Sequence, residues 1–368
     1  MIRALLLAAG AGGLGLCVAC SSGPVATAPT PAPTGSVAAP STATPSLTPT
    51  PTPKATPTPT PPPPTNPLTG LAATAARPVL VVKLDNTGNA QPHAGLAKAD
   101  VVYLEEVEYG ITRIAAVFSS HVPTRIGPVR SARITDVDLI SQYDSPAFAY
   151  SGAQGRLYPV LDAADFHDVS PRRSAEGYSR DYSRRAPYNY FLDGKVALGR
   201  APGASLAHDI GFRFEEAVPV GGLLATRARM TWDYSTAAFR YDPDTGTYAV
   251  ELNDRPAEAE ENGRGQDADT VVIQYVKQRP SPYFDRGGGN TPHAETIGTG
   301  KAIVLRDGQA WNVTWSRPRA QDGTVFTLPD GSVLPFKPGQ TWVVLLDKER
   351  LATVKPMTAA TSAAPGSQ

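Results

Sequence analysis

Arginines crowd one short stretch of this chain: Arg113, then Arg125, Arg130 and Arg133 in or beside Ile126-Gly-Pro-Val-Arg-Ser-Ala-Arg133. Gly127 and Pro128 bend the backbone there, just before a predicted helix. Guanidinium forks near a helix N-terminus can grip a carboxylate or phosphate in bidentate fashion, so an anion site is one reading. The other is that the arginines are spent on Asp85, Glu105, Glu106 and Glu108 and tie strands together. Strand alternation puts Glu106 and Glu108 on one face and Glu105 on the other. Glu106 and Glu108, with Asp85 nearby, are therefore the candidate acid/base groups for an enzyme that cleaves an envelope glycan or peptide.

A second group lies in Pro171–Phe191, where Arg172, Arg173, Arg180, Arg184 and Arg185 alternate with Tyr178, Tyr182, Tyr188 and Tyr190. In a cytosolic protein this composition would suit nucleic acid. On a cell surface it suits sugar rings by stacking and anionic polymers by charge, or it is a solvated loop with some tyrosines packed inward. The candidate ligand-binding residues are Arg113, Arg125, Arg130, Arg133, Arg184, Arg185, Tyr188 and Asn189. The five histidines have no metal-ligand spacing, so no metal is expected. Gly298-Thr-Gly-Lys-Ala302 lacks the upstream glycine spacing and the Ser/Thr after lysine of a phosphate loop, and no nucleophile elbow occurs. No cofactor is expected.

The elements that must position these groups follow from apolar patterning. Pro78–Asp85 reads as a buried strand, followed by strands at 100–107 and 111–118. A helix over 135–143 is predicted with Thr135 as cap and Asp138 closing a capping box. A strand at 147–150 and a helix over 155–164 continue the alternation, which predicts an α/β domain over 77–220. After Gly221-Gly222, short strands alternate with turn signals such as Asp242-Pro-Asp-Thr-Gly246, Arg306-Asp-Gly308 and Pro329-Asp-Gly331. Strands are expected at 231–234, 247–252, 270–275, 301–305, 311–315 and 341–346, with a long Pro/Gly-rich loop over 279–292. The second domain, 221–350, is accordingly mainly antiparallel β, making the chain α+β overall. A disordered Pro/Thr/Ala tether over 21–76 precedes the body and a disordered tail over 351–368 follows it.

Composition bounds the setting. The chain has 368 residues and no formal net charge. Residues 1–67 carry only Arg3 and Lys54, which leaves 32 basic and 34 acidic groups for the rest and no global drive toward nucleic acid. Arg3, the apolar run from Leu5 and the small residues before Cys20 form a secretory signal over 1–20. Its cleavage would leave Cys20 at the N-terminus for acylation, although Cys17 stands where leucine is usual. The expected address is the outer face of the bacterial cytoplasmic membrane, reached by export and held by lipid. Extended at about 3.1 Å per residue, the Pro/Thr-rich stretch over 21–67 would reach on the order of 140 Å. Expected partners are the membrane, through that lipid, and peptidoglycan, an anionic envelope polymer or an envelope protein. Beyond Cys17 and Cys20 there is no cysteine for a disulfide or a nucleophile.

Several motifs in order resemble those of the YerB-like bacterial lipoproteins (domain of unknown function 3048). In the first half these are Asp85-Asn86, Gly95-Leu-Ala-Lys-Ala-Asp-Val-Val-Tyr103, Gly110-Ile-Thr-Arg113, the 126–133 segment and Arg185-Ala-Pro-Tyr-Asn189. Trp232-Asp-Tyr, Asp269-Thr-Val-Val-Ile-Gln, Gly298–Ala302 and Pro338-Gly-Gln-Thr-Trp342 continue the resemblance, which spans 77–347. It implies an envelope lipoprotein with an N- and a C-terminal domain, and carries over no catalytic residue. The resemblance also exposes two departures: Tyr188 stands where the family usually has His, and Tyr150-Ser-Gly-Ala-Gln154 where it commonly has His-x-Gly-Gly-Ser. A phenol stays protonated at neutral pH, which favours binding over a histidine-based reaction.

Overall fold

A computed structural model describes residues 64–73 and 75–356 of the chain. Cys20, the export signal and most of the expected tether and tail lie outside the described residues. Strands form where the apolar runs are. Leu80–Asp85 (β1) is buried along its whole length, as expected of a strand covered on both faces. Val101–Glu106 (β2) pairs antiparallel with Thr112–Phe118 (β3), which pairs antiparallel with β1. Ala147–Ala149 (β4) adds in parallel to β1, and His167–Asp168 (β5) to β4. Tyr178–Arg180 (β6) and Tyr190–Leu192 (β7) form a separate hairpin.

The second half supplies Leu223–Leu224 (β8), Arg227–Thr231 (β9), Thr236–Asp242 (β10), Thr247–Leu252 (β11), Arg255–Pro256 (β12) and Asp267–Ala268 (β13). The long Thr270–Phe284 (β14) follows, then Asn290–Glu295 (β15), Gly298–Arg306 (β16), Gln309–Arg317 (β17), Val325–Thr327 (β18), Thr341–Asp347 (β19) and Thr353–Lys355 (β20). The helices are short: Ile134–Ile140 (α1), Tyr158–Ala163 (α2) and Gly194–Gly199 (α3).

One sheet runs across the boundary expected at 220/221. Its order is β18-β17-β16-β14-β19-β2-β3-β1-β4-β5, with β19 parallel to both β14 and β2. Each central strand feeds two cores by simple alternation. Leu80, Val82, Leu84, Val102, Leu104, Trp342 and Val344 face one side, and Val81, Val101, Tyr103, Val343 and Leu345 face the other. The first face is covered by a smaller sheet, β12-β11-β10-β9-β20, which contributes Met230, Phe239 and Val250. Helices α1 and α2 and the aromatic cluster of Phe212, Phe326 and Phe336 cover the second. The molecule is mostly sheet with few helices, and the helices expected over 135–143 and 155–164 fall on α1 and α2, each extended by a short 3-10 turn at 141–143 and 155–157.

Several boundaries differ from expectation. Residues 64–73 are packed rather than part of a loose linker: Leu68 is fully buried in the second core and Asn66 Oδ1 accepts its N–H at 2.7 Å. The tail expected from 351 contributes β20, paired with β9 through Thr353–Lys355. The 279–292 segment is a hairpin, because β14 and β15 pair through Gln278–Pro280 and tolerate Pro280 and Pro282 at a bulged edge. Strand β9 ends at Thr231, so 232–234 is a turn. At α1 the cap is Arg133, whose N–H donates to Asp136 Oδ2 at 2.6 Å, in place of the Thr135/Asp138 box. Asp138 is drawn instead to His293 Nε2, 2.8 Å away, and Thr135 Oγ1 accepts the Ala294 N–H.

Where the second core meets α1, charge replaces carbon. Lys83, in the middle of β1, is fully buried and its Nζ donates to Glu105 of β2 and to Asp136 Oδ1 of α1, the latter at 2.7 Å. Burial and the Asp136 charge push Glu105 up to about 7, against the pull of Lys83. Removing one member of a buried ion cluster strands the rest without counter-charge. Lys83→Met should therefore cost about 3–5 kcal/mol in urea unfolding, while Lys195→Met, at an exposed position of α3, should leave the midpoint where it is. An unchanged midpoint for Lys83→Met would show that the triad does not hold α1 to the sheet.

Candidate functional site

The sheet brings the expected charged residues to one end of β1, β2 and β3. In register, Arg113 of β3 stands opposite Asp85 of β1 on one side and Glu105 of β2 on the other. Opposite charges placed directly across strands are mutually favourable. Arg113 is almost fully buried; its guanidinium donates to the Ser131 carbonyl at 2.8 Å. Burial and the charges of Arg133 and Arg130 lower its pKa to about 9, opposed by Glu108 and Asp85.

The segment before α1 closes over this row. Arg130 pairs with Asp85. Arg133 donates Nε and Nη2 to the two oxygens of Glu108 at 2.6 and 2.8 Å, the bidentate geometry of a strong ion pair. Thr291 of the β14–β15 hairpin donates to the same carboxylate, so a distant segment is tied into the cluster. Burial pushes Asp85 and Glu108 up, but Arg130 and Thr87 at the first, and Arg133 and Thr291 at the second, outweigh it and hold both below their ordinary values.

The expected pairing of Glu106 with Glu108 does not occur. Strand β2 ends at Glu106, and Glu108 opens a tight turn in which Tyr109 has a left-handed φ of 62°. Alternation stops applying there, and the turn swings Glu108 to Arg133, whose charge also reaches Glu105. Glu106 is held instead by Arg350 at 3.2 Å, and partial burial raises its pKa against that arginine. Two carboxylates spent on different arginines do not flank a substrate bond.

The remaining arginines form a second group around the β6–β7 hairpin. Arg125 lies 3.7 Å over the Phe191 ring and bridges Asp181 and Glu260 at 2.7 and 3.0 Å. Arg184 donates to the carbonyls of Pro92 and Ala90 at 3.0 and 2.6 Å, and burial lowers its pKa. Asn189 is buried and structural: its Oδ1 accepts from Arg180 and its carbonyl from the Asp181 N–H. Beside it, Asn89, Gln91, Arg184, Arg185 and Tyr188 line a recess of about 320 Å³. Among the described residues, the Arg185 guanidinium and the Tyr188 hydroxyl have no hydrogen-bond or ion-pair partner. Tyr178 stacks on Tyr190 at 5.2 Å between ring centroids while Tyr182 stays exposed, so this stretch is largely solvated with some of its tyrosines packed inward.

The sequence therefore named the first group together with partners it does have, Asp85 and Glu108, but not the partners of the second. Lys83 and Asp136 went unread, although a lysine inside Leu-Val-Val-Lys-Leu-Asp is itself the signature of a buried charge. Asn89, Gln91, Asp181 and Glu260 left no signal, since only the folded chain brings them to the arginines.

Asp85 and Glu108 have folded pKa values below their ordinary 3.8 and 4.5, so at acid pH the unfolded chain binds more protons than the folded one. Their stabilisation is complete above the ordinary values and is lost as pH falls through the depressed ones. We expect the urea midpoint to drop on acidification below about pH 5, and Arg133→Ala to flatten that slope by removing the partner of Glu108. An acid slope identical in the two proteins would contradict this assignment.

Comparison with known proteins agrees with this architecture. Over 296 residues the chain is 28% identical to "Putative lipoprotein YerB" of Bacillus subtilis (strain 168), covering 75% of this chain and 84% of the relative. The crystal structure of YerB protein from Bacillus subtilis has the same fold, with a TM-score of 0.67 at 22% identity over 79% of this chain and 99% of that one. Residues 68–206 match "Protein of unknown function (DUF3048) N-terminal domain" and residues 228–343 the C-terminal domain of the same name. With both domains matched in order, the chain belongs to the DUF3048 family.

Proposed function

We propose that this is an envelope-anchored binding protein, not a hydrolase, whose recess at Arg184, Arg185 and Tyr188 takes an anionic group of a cell-wall or protein partner. One observation carries the reading: the recess offers a guanidinium and a phenol without protein partners, and no carboxylate is among its lining residues. The arginines at 113, 130 and 133 are compensated by Asp85 and Glu108, which leaves them little charge for a ligand. Arg184, oriented by two carbonyls and lying over Phe191, holds the recess in shape while Arg185 stays free to meet the anion. The anchor is argued from Cys20 after its export signal and from the relative named as a lipoprotein.

Two measurements test it. Titration of the protein with inorganic phosphate and with glucuronate should give binding that Arg185→Ala weakens by about tenfold, the loss expected for one charge-assisted contact. Absence of binding to both, or an unchanged affinity in Arg185→Ala, would remove the recess as the site. For the anchor, mass spectrometry of the mature N-terminus should find an acylated Cys20; a chain beginning at Ser21 or retaining Met1 would contradict it.

A further inference from the structure

The large sheet contains an opening that the recess does not explain. Between the register pairs Lys277↔Glu295 and Gln274↔Ala302, β14 contributes only Tyr275 and Val276, while the opposing chain runs through residues 296–301. The surplus cannot stay in the ladder, so the chain bows away from β14 while keeping unbroken register with β17 from Gly298↔Arg317 to Arg306↔Gln309. Trp315 of β17 fills the gap, its indole N–H donating to the Tyr275 carbonyl at 2.9 Å. Only glycine fits above it, because a Cβ on residue 300 would stand 2.6 Å from the indole nitrogen.

The exit from β19 forms the facing wall, fastened by Lys348 N–H to the Val276 carbonyl at 2.8 Å. The smaller sheet covers Val271, Ile273 and Leu305 but leaves Tyr275 and Ile303 only partly buried. What remains is an open groove of about 1010 Å³, at the upper end of the size range of ligand sites.

Its chemistry is one-sided. Lys277, Lys301, Lys348 and Arg350 line it, with Glu295 as the only carboxylate among the lining residues. Arg350 is spent on Glu106 and Asp233. Glu295 lies closer to Arg279, at 3.0 Å, than to Lys277, at 3.9 Å, and Lys348 has only an exposed Glu349 at 3.5 Å. The Lys301 ammonium has no ion-pair or hydrogen-bond partner among the described residues. Along the floor, the cross-strand row Lys301↔Thr314↔Thr327 and the neighbouring Ile303↔Asn312 pair set an ammonium, hydroxyls and an amide side by side on one face.

We propose that this groove binds an acidic polyhydroxylated chain, a glycan or polyol bearing carboxylate or phosphate groups. Under-compensated ammonium groups on both walls call for more than one negative charge, and the floor offers side-chain partners for hydroxyls. A peptide docks by adding to a free strand edge, and here the Trp315 indole occupies the space between the parted strands. The site is separate from the Arg185 recess and does not depend on it.

The test uses the full-length protein titrated with a short oligogalacturonate, a phosphomannan, an uncharged maltooligosaccharide and poly-glutamate, read by calorimetry and by tryptophan fluorescence. At least one acidic sugar chain should bind, the neutral one should not, and added salt should weaken the interaction. The double variant Lys277→Glu, Lys301→Glu, both exposed and checked for an unchanged melting curve, should lose affinity at least tenfold, whereas Arg185→Ala should keep it. Failure of both acidic chains to bind, equal binding of the neutral chain, or full affinity in the double variant would overturn the proposal. Tighter binding of poly-glutamate than of either sugar chain would also overturn it, and would mark a site for acidic peptides.

Discussion

Everything at the junction of sheet and helix depends on one ion network whose charges cancel. Lys83, Arg113, Arg130 and Arg133 alternate with Asp85, Glu105, Glu108 and Asp136, mostly out of water. Buried charges are tolerable only when paired and hydrogen-bonded, and here the pairing draws on several separate segments. Strands β1, β2 and β3 supply the central row, the 126–133 segment lays two arginines across it, α1 caps it, and Thr291 reaches in from the far hairpin. Such a network contributes little net stability compared with carbon, but it punishes any other register. A slip of one residue in β1 would carry Lys83 and Asp85 to the opposite, apolar face.

That constraint also decides which arginines are already paired. Arg133, held bidentately by Glu108, has little left for a partner, and Arg130 is paired with Asp85. Unmatched or weakly matched cationic groups include Arg185 at the recess beside the β6–β7 hairpin and the lysines around the opening between β14 and β16. Both places lie where regular pairing gives way, the first in the turn joining two short strands and the second at a detour in a ladder. Irregular backbone set on a stiff sheet is where binding groups can be presented without disturbing the core.

The shared sheet has a further consequence for how the halves work together. Because β19 lies in parallel between β14 and β2, the strands of the two family domains form one continuous hydrogen-bonded surface. The Tyr109 turn shows the same interlocking at smaller scale. Its ring fills the space that side chains at Gly287 and Gly289 would need, and its hydroxyl donates to Asp285. The glycine run of the second half is thus shaped around a residue of the first.

Much of this could be read from the chain alone. Continuous apolar runs marked β1, β2, β3, β14 and β19, because strands buried on both faces need carbon at every position. The turns at 242–246, 306–308 and 329–331 followed from glycine and aspartate chemistry, and family membership from ordered motifs. The arginine clusters were visible too, as was their ambiguity between ligand and scaffold. Tertiary structure alone shows which carboxylate reaches which arginine. Those carboxylates, and the strand β19 that joins the halves, come from positions far away in sequence. Local pattern determines which residues are strand, turn or charge; long-range pairing determines which charges are cancelled and which are left without a partner.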